Sequence, residues 1–331
     1  MTEIEAILRK LSAEPPQSAV LCTLVSVAGS SYRRPGARLL ISADRSRVGS
    51  ISGGCLEEDL VARASEVLTT GRPQAVVYDT TSENDLVWGV GLGCHGVVRV
   101  VLERIDSAAP WIATLRENLA ADRPTRLAVA FGDDAHTCTR LDDSTPDAPA
   151  PDVFHQEILP PQPLTIFGAG DDAQPLAALA ATLGWRITVA DPRPAYATPA
   201  RFPQAARVLV IDPSKPLDSQ GVVLTPRTAV VIMTHHYIHD TPLLGQLLAR
   251  PLAYLGLLGP KKRATRILQD LTDQGASFSE TDRARLHAPT GLDLGGDTPA
   301  EVALSILAEI QSVLTRRDAR PLRQRERPIH S

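Results

Sequence analysis

From residue 164 onward, short continuous apolar runs alternate with segments long enough to form helices. Apolar runs of this length are typical of strands buried on both faces of a parallel sheet. Their alternation with helices predicts a doubly wound α/β domain over residues 164–331. The predicted strands are residues 164–167, 186–191, 207–212, 229–235 and 253–259.

The last helix of this half has a recognisable start. Thr298 is a suitable N-cap, Pro299 fits the first helical position and Glu301 completes a capping box. The apolar residues that follow recur with a helical period. We therefore predict a helix that begins at Thr298.

A glycine motif of the GxGxxA type follows the first predicted strand and opens a helix, which indicates a Rossmann-like fold. Gly168 permits a tight turn, Gly170 allows a pyrophosphate to approach the backbone, and Ala173 allows close packing of helix and strand. Asp191 ends the next strand, where an acid that binds ribose usually lies. Arg193 could meet a 2′-phosphate.

The same motif also contains an argument against a bound dinucleotide. Asp171 and Asp172 place two negative charges where phosphate oxygens would meet the start of the helix. The glycines alone could serve only to close the turn. NAD(P) binding therefore stays open as an alternative.

The first half of the sequence is interpreted as an α/β domain over residues 1–105, followed by an intermediate segment over residues 106–163. Residues 144–163 contain six prolines and are interpreted as a linker between domains. The elements predicted before this linker are helices at residues 3–13 and 110–121, a helix that starts near residue 56, and strands at residues 19–29, 37–42, 75–79, 97–103 and 126–132.

Three glycine-containing loops in the first half have the residue types of a ligand site. One loop offers the hydroxyls of Ser30 and Ser31, and its guanidiniums suit phosphate oxygens. A second leads into a helix, so its free N–H groups would form an anion site, with Cys55 in the first helical turn. In the third, Cys94 lies next to His95 in a stretch rich in glycine.

Each of these features also has a simpler structural interpretation. A lone cysteine is usually a buried small apolar residue, and Cys22 and Cys138 are interpreted in this way. Glycine loops are often simple turns, and an arginine pair is often solvated. His235, His236 and His239 follow a predicted strand, where a polar rim is a simpler interpretation than a metal site, and we predict no bound metal.

The charge balance restricts the classes of partner. The chain has 34 Lys and Arg against 38 Asp and Glu, a net charge of −4. This balance offers no basic surface for nucleic acid or for an anionic membrane. No secretory signal or long apolar run is present, so we expect a cytoplasmic protein with reduced cysteines.

The sequence resembles the xanthine dehydrogenase accessory factor family (XdhC/CoxI). The matching segments run in family order over nearly the whole chain. They include GSSYRRPGARLLIS, GSISGGCLEEDL, GVGLGCHG, IFGAGDDAQPLAALAATLGWRITVADPR, VVIMTHHYIHD, YLGLLGPKKRATRIL and APTGLDLGGDTPAEVALSILAEI.

The resemblance implies an XdhC/CoxI-like N-terminal α/β domain and a C-terminal Rossmann-like domain. It also implies a chaperone, rather than an enzyme, that binds molybdenum cofactor (molybdopterin). Such a chaperone holds the cofactor for sulfuration by a cysteine desulfurase and passes it to a xanthine dehydrogenase-type molybdenum hydroxylase. A homodimer is implied as well.

Carried over position by position, the resemblance gives a set of cofactor-binding residues. Two positions depart from the family pattern, since Asp171 stands where many members have His, and His95 where many have Gly or Asn. His95 is kept as a candidate because it adjoins Cys94. The candidates are Ser30, Ser31, Arg33, Arg34, Gly36, Ser52, Gly53, Gly54, Cys55, Glu57, Gly93, Cys94, His95, Gly168, Gly170, Asp191, Arg193 and His235.

Two alternatives remain beside the chaperone. The GxGxxA motif with Asp191 is compatible with a nicotinamide-dependent oxidoreductase, for which His235 or His236 would be the proton donor. The same motif is compatible with a nucleotide-sensing scaffold whose Rossmann half regulates partner binding. Nucleotide titration with and without turnover separates these hypotheses from the chaperone.

Overall fold

The computed structural model describes residues 2–13, 18–79, 96–132, 138–143 and 152–326. The chain forms two compact units, the first over Thr2–Pro160 and the second from Pro161 onward. The first unit therefore includes most of the intermediate segment that the sequence analysis separates from residues 1–105.

The first unit contains a five-stranded sheet and a three-stranded sheet, both antiparallel. The strand orders are β3-β2-β1-β5-β4 and β7-β6-β8. Its described elements are α1 (Glu3–Ala13), β1 (Ala19–Gly29), β2 (Arg38–Ile41), β3 (Arg47–Gly49), α2 (Glu57–Thr70), β4 (Gln74–Asp79), β5 (Gly96–Ile105), α3 (Pro110–Ala120), β6 (Thr125–Ala130), β7 (Cys138–Leu141) and β8 (Val153–Ile158).

Strand β1 is buried on both faces, because helices cover the two sides of its sheet. Alternate side chains of a strand point to opposite faces. Cys22 packs with Leu60 of α2 on one side. Leu21 packs on the other side with Ile7 of α1 and Trp111 of α3. This double cover explains why β1 is a continuous apolar run rather than an alternating one.

The proline-rich span predicted as a linker contains structure of its own. Its residues 153–158 form β8, which pairs with β6 at the edge of the three-stranded sheet. The prolines of this span lie outside β8, where they remove no hydrogen bond from the strand pairing. Residues 144–151 lie outside the described part of the chain.

The second unit is a parallel sheet in the order β11-β10-β9-β12-β13-β14. This is the doubly wound order of a Rossmann fold, so the predicted fold is confirmed. The short β14 was not predicted, and two brief 3₁₀ turns lie at Asp218–Gln220 and Leu322–Gln324. The elements are β9 (Pro163–Phe167), α4 (Ala173–Thr182), β10 (Arg186–Asp191), β11 (Arg207–Val210), β12 (Ala229–Ile232), α5 (Tyr237–Leu247), β13 (Tyr254–Leu257), α6 (Lys261–Asp273), α7 (Glu280–Ala284), β14 (Leu286–His287) and α8 (Pro299–Thr315).

Helices cover both faces of this parallel sheet. Ile166 of β9 packs with Leu176 of α4 and Ile306 of α8 on one side. Residues of α5 and α6 pack on the other side. The predicted capping box at Thr298 is present, with reciprocal bonds to Glu301. None of the helices in the described ranges has both the length and the apolar composition needed to span a bilayer.

Candidate functional site

Three connections of the first unit leave the five-stranded sheet at the same end, which we call the loop end. Gly29 at the end of β1 pairs with Gly96 at the start of β5. Asp79 at the end of β4 pairs with Val97. Gly49 closes β3 beside the first residues of β2. The connections are the β1–β2 loop (residues 30–37), the β3–α2 loop (residues 50–56) and the β4–β5 connection (residues 80–95).

The β4–β5 connection lies outside the described residues. The predicted site residues Gly93, Cys94 and His95 belong to it, so their positions stay predictions. The residues that flank the connection, Asp79 and Gly96, both lie at the loop end. The topology thus brings the residues that flank all three predicted loops to the loop end of the sheet.

The β1–β2 and β3–α2 loops are in direct contact. The ring of Tyr32 packs against Gly53, where an added Cβ would lie 3.0 Å from the Cε1 atom of Tyr32. Gly96 lies against the β1–β2 loop, because a Cβ there would be 2.2 Å from the carbonyl oxygen of Ser30. Side chains larger than glycine would therefore push the loops apart.

The β3–α2 loop is folded around the buried carboxylate of Glu57. Oε1 accepts from the Ser50 hydroxyl at 3.0 Å and from the N–H groups of Ile51 at 3.0 Å and Ser52 at 2.9 Å. Oε2 accepts from the Ser52 hydroxyl and from the Gly54 N–H at 2.8 Å. Burial acts to raise the pKa of Glu57, but these hydrogen bonds, first those from Ser52, lower it to about 2.

This network engages most of the donors of the expected anion site in the same loop. The N–H groups of residues 50–54 and 56 already make hydrogen bonds, three of them to Glu57. The Gly53 N–H donates to the Ser50 hydroxyl at 3.0 Å, and the Leu56 N–H donates to the Ser52 hydroxyl at 2.8 Å. These donors are not free, because the chain supplies its own carboxylate and hydroxyls, and an anion site at this loop stays a prediction. Ser52 and Glu57 build the loop rather than face outward.

Cys55 is exposed at the loop end. The expected position in the first turn of the helix is wrong by two residues, since α2 begins at Glu57 with Leu56 as its N-cap. Cys22 is buried as predicted, and burial raises the pKa of its thiol. Cys138 was also predicted to be buried but is exposed at the start of β7.

The β1–β2 loop is held by a residue of α1. Glu3 accepts from the Arg33 guanidinium at 3.1 and 2.9 Å and from the Arg38 N–H at 3.1 Å. Gly36 donates its N–H to the carbonyl of Leu24 at 2.7 Å, which ties the loop to β1. The positive charge of Arg33 is thus balanced within the protein.

Several chemically distinct groups remain exposed at the loop end. Tyr32 is 66 % exposed. Arg34 is exposed, and the side chains of Ser30 and Ser31 make no hydrogen bond to any other described residue. Together with Cys55, these groups place hydroxyl donors, a guanidinium, an aromatic face and a thiol on two loops that contact each other.

In the second unit, the glycine motif is held by contacts inside the protein. Gly168 has φ of 121°, and a Cβ there would lie 2.4 Å from the carbonyl oxygen of Met233. The glycine therefore permits the close approach of β12. Asp191 is fully buried and accepts from the Ala169 N–H at 2.7 Å. It also accepts from Arg193, through the backbone N–H at 2.8 Å and the side-chain Nε at 2.9 Å.

Asp191, predicted to bind a ribose, and Arg193, predicted to meet a 2′-phosphate, are therefore bonded to each other. Burial acts to raise the pKa of Asp191, but the bonds from Arg193 and Ala169 lower it. The Arg193 guanidinium also stacks 4.0 Å from the centroid of the Tyr196 ring. The predicted contacts to ribose and 2′-phosphate stay predictions, and in this arrangement Asp191 is fully buried and bonded to Arg193 and Ala169.

The histidines after β12 lie at the carboxyl end of the parallel sheet. His235 Nε2 lies 2.6 Å from the carboxylate of Asp172. The rings of His236 and His239 stack with centroids 4.5 Å apart. Within the described ranges, no cluster of three or more His, Cys, Asp or Glu residues is arranged to hold a metal ion.

Two residues of the loop end were missed by the sequence analysis. Glu3 lies in a helix remote in sequence, and no local pattern links it to Arg33. Tyr32 lies inside the first of the family segments, and its position between two glycines of one loop was the available signal. Its contact with Gly53 joins the β1–β2 loop to the β3–α2 loop.

The fold and the loop end define a two-unit α/β protein whose second unit is a Rossmann domain of the XdhC type. The model of the XdhC Rossmann domain matches residues 164–310, and that of the XdhC and CoxI family matches residues 12–79. The chain belongs to the XdhC and CoxI family.

Relatives over nearly the whole length support this assignment. The chain is 33% identical over 332 residues to a protein of Bacillus subtilis (strain 168) that is named as a probable xanthine dehydrogenase subunit, covering 93% of this chain and 96% of that protein. It is 29% identical over 297 residues to the molybdenum cofactor insertion chaperone PaoD of Escherichia coli (strain K12), covering 90% and 84%. The crystal structure of a xanthine dehydrogenase from Bacillus halodurans matches with a TM-score of 0.83 and 32% identity, covering 97% and 98% of the two chains.

Proposed function

We propose that this chain is a chaperone that binds molybdenum cofactor and inserts it into a xanthine dehydrogenase-type molybdenum hydroxylase. The observation that carries the proposal is the loop end, where two of the family segments meet through Tyr32 and Gly53 beside the exposed Cys55. Membership of the family and the likeness to a chaperone named for molybdenum cofactor insertion give the ligand class.

The cargo is an anionic phosphorylated pterin with a metal held by a dithiolene. Its phosphate suits Arg34 and the hydroxyls of Ser30 and Ser31, because charge-assisted hydrogen bonds favour phosphate oxygens. The thiolate of Cys55 can face an exchangeable position on the metal, since thiolates are soft ligands. The exposed ring of Tyr32 offers a stacking face to the pterin.

Glu57 does not present its carboxylate to an anionic cargo, because it is buried. Its two carboxylate oxygens accept five hydrogen bonds from the β3–α2 loop. In this proposal Glu57 sets the loop conformation that presents Cys55, and the remaining predicted contacts come from Gly93, Cys94 and His95. The Rossmann-half candidates Gly168, Gly170, Asp191, Arg193 and His235 are not needed for this mode of binding.

The proposal includes the partners implied by the family resemblance. A cysteine desulfurase supplies sulfur to the cofactor while the chaperone holds it. The chaperone itself is a homodimer of this chain in the cytoplasm. A molybdoenzyme partner agrees with the names of the relatives. Light scattering of the purified chain tests the dimer, and a mass of one chain contradicts it.

The test of the function is the pterin content of the purified protein. The full chain is purified from cells that make molybdenum cofactor, and the bound pterin is released by oxidation and measured. The proposal predicts pterin in the purified protein and binding of added cofactor by protein from cofactor-deficient cells. Absence of both contradicts it.

A further inference from the structure

The start of α4 is the place where a Rossmann fold receives the phosphates of a nucleotide. Backbone N–H groups and the helix dipole favour an anion there, and a glycine in the preceding loop lets the phosphate approach the backbone. In this chain, two consecutive carboxylates occupy that position, Asp171 and Asp172. Their surroundings differ.

The carboxylate of Asp172 lies directly over Gly170. A Cβ built on Gly170 would be 2.6 Å from Oδ1 of Asp172. The space next to this glycine is the space that a pyrophosphate would need. It is filled by an oxygen atom that carries the same sign of charge as the phosphate.

His235 holds the Asp172 carboxylate in this position. Its Nε2 lies 2.6 Å from Oδ2 of Asp172, so one oxygen faces Gly170 and the other faces the imidazole. The bond joins the loop after β9 to the loop after β12, across the point where the strand order reverses. Asp240 and Arg263 also lie close enough to influence His235.

Asp171 provides a contrast within the same loop. Its side chain is 85% exposed and bonds to Arg201 at 2.7 Å on the surface. The two neighbouring aspartates therefore have the same charge and different positions, which makes one a control for the other.

We infer that Asp172 acts as an internal substitute for phosphate and makes this Rossmann crevice selective against phosphorylated ligands. The carboxylate occupies the anion position of the fold and is fixed there by His235. NAD, NADP and ADP are consequently excluded by repulsion between their phosphates and the like charge of this carboxylate. The inference does not depend on whether the first unit binds molybdenum cofactor.

The test is calorimetric titration of the full chain with ADP and with NAD⁺. Asp172→Asn removes the charge and keeps a residue type suited to the N-cap of α4. We expect no measurable binding by the wild type and a gain of at least about tenfold in ADP affinity for this variant. The matched variant Asp171→Asn is expected to gain nothing.

The inference is overturned if wild-type affinity for ADP or NAD⁺ equals that of Asp172→Asn. It is also overturned if a correctly folded Asp172→Asn protein gains no affinity. Circular dichroism and thermal melting report on folding. If Asp172→Asn does not fold, Asp172→Ser, which also suits an N-cap, is used with the same expected gain. A gain of equal size in Asp171→Asn would likewise contradict a specific role for Asp172.

Discussion

Glu57 and Ser52 are joined by two hydrogen bonds, because the Ser52 hydroxyl donates to Oε2 of Glu57 and the Ser52 N–H donates to Oε1 at 2.9 Å. A carboxylate at the start of α2 thus determines the path of the loop before it. Cys55 lies between these two residues in sequence and remains exposed. The geometry of the thiol therefore depends on a residue that does not itself face outward.

The first prediction concerns the stability that Glu57 provides. Glu57→Gln replaces one acceptor oxygen with an amide N–H₂ that faces existing donors. Leaving a buried donor without a partner costs about 1–3 kcal/mol, so we expect a loss of about 2 kcal/mol in the free energy of unfolding. Urea unfolding followed by circular dichroism measures it. The adjacent Glu58, 81% exposed, is the control, and Glu58→Gln is expected to change stability by less than about 0.5 kcal/mol. Equal losses in both variants would contradict this role.

The second prediction concerns the pH dependence of the same contribution. The pKa of Glu57 is lowered from an ordinary value of 4.5 to about 2 in the folded protein. A carboxylate with a lowered pKa stabilises the fold above its ordinary value, and the stabilisation is lost as the pH falls toward the folded value. The difference in stability between the wild type and Glu57→Gln should therefore be full at neutral pH and shrink as the pH falls below 4.5. A difference that grows on acidification would refute it.

The third prediction concerns the contact between the two loops. Gly53→Ala adds a Cβ 3.0 Å from the Tyr32 ring, whereas a Cβ at Gly54 meets no atom of the described residues within 4 Å. Alanine is strained at both positions, where φ is 80° and 127°. Gly53→Ala should therefore cost less stability in a Tyr32→Ala background than in the wild type, whereas the cost of Gly54→Ala should be the same in both. A Gly53→Ala cost that Tyr32→Ala leaves unchanged in urea unfolding would show that the contact is not the cause.

The fourth prediction concerns thiol reactivity. Cys55 and Cys138 are exposed, whereas Cys22 is fully buried and burial raises the pKa of its thiol. Iodoacetamide should therefore label Cys55 and Cys138 in the native protein and leave Cys22 unmodified until the protein unfolds. Added molybdenum cofactor should protect Cys55 and not Cys138. Peptide mass spectrometry reads each site, and equal protection of both exposed thiols would argue against binding at the loop end.

Much of the fold is predictable from the sequence because its signals are local. Continuous apolar runs identify the strands of the parallel sheet, and Thr298 with Glu301 identifies the start of α8. The two-residue β14 has no such signal, since it is too short for a pattern. Strand β8 was missed because the prolines around it indicate a linker.

The glycine loops predict a common site, and the topology brings the residues that flank the three loops to one end of the sheet. The roles of the residues in these loops were not predictable. The sequence does not reveal that Glu57 accepts hydrogen bonds from the β3–α2 loop, or that Arg193 donates hydrogen bonds to Asp191. Such pairings depend on side-chain direction and burial, which spacing in sequence does not determine.

The central claim is that the loop end binds the cofactor. Its most direct test compares cofactor retention by two variants, each of which lacks one exposed cysteine. Wild-type protein, Cys55→Ala and Cys138→Ala are purified from the same cells that make molybdenum cofactor, and the pterin bound per chain and its dissociation constant are measured. We predict unchanged retention in Cys138→Ala and binding at least about tenfold weaker in Cys55→Ala, equivalent to about 1.4 kcal/mol. Retention in Cys55→Ala equal to that of the wild type would contradict the claim that the loop end holds the cofactor through this thiol.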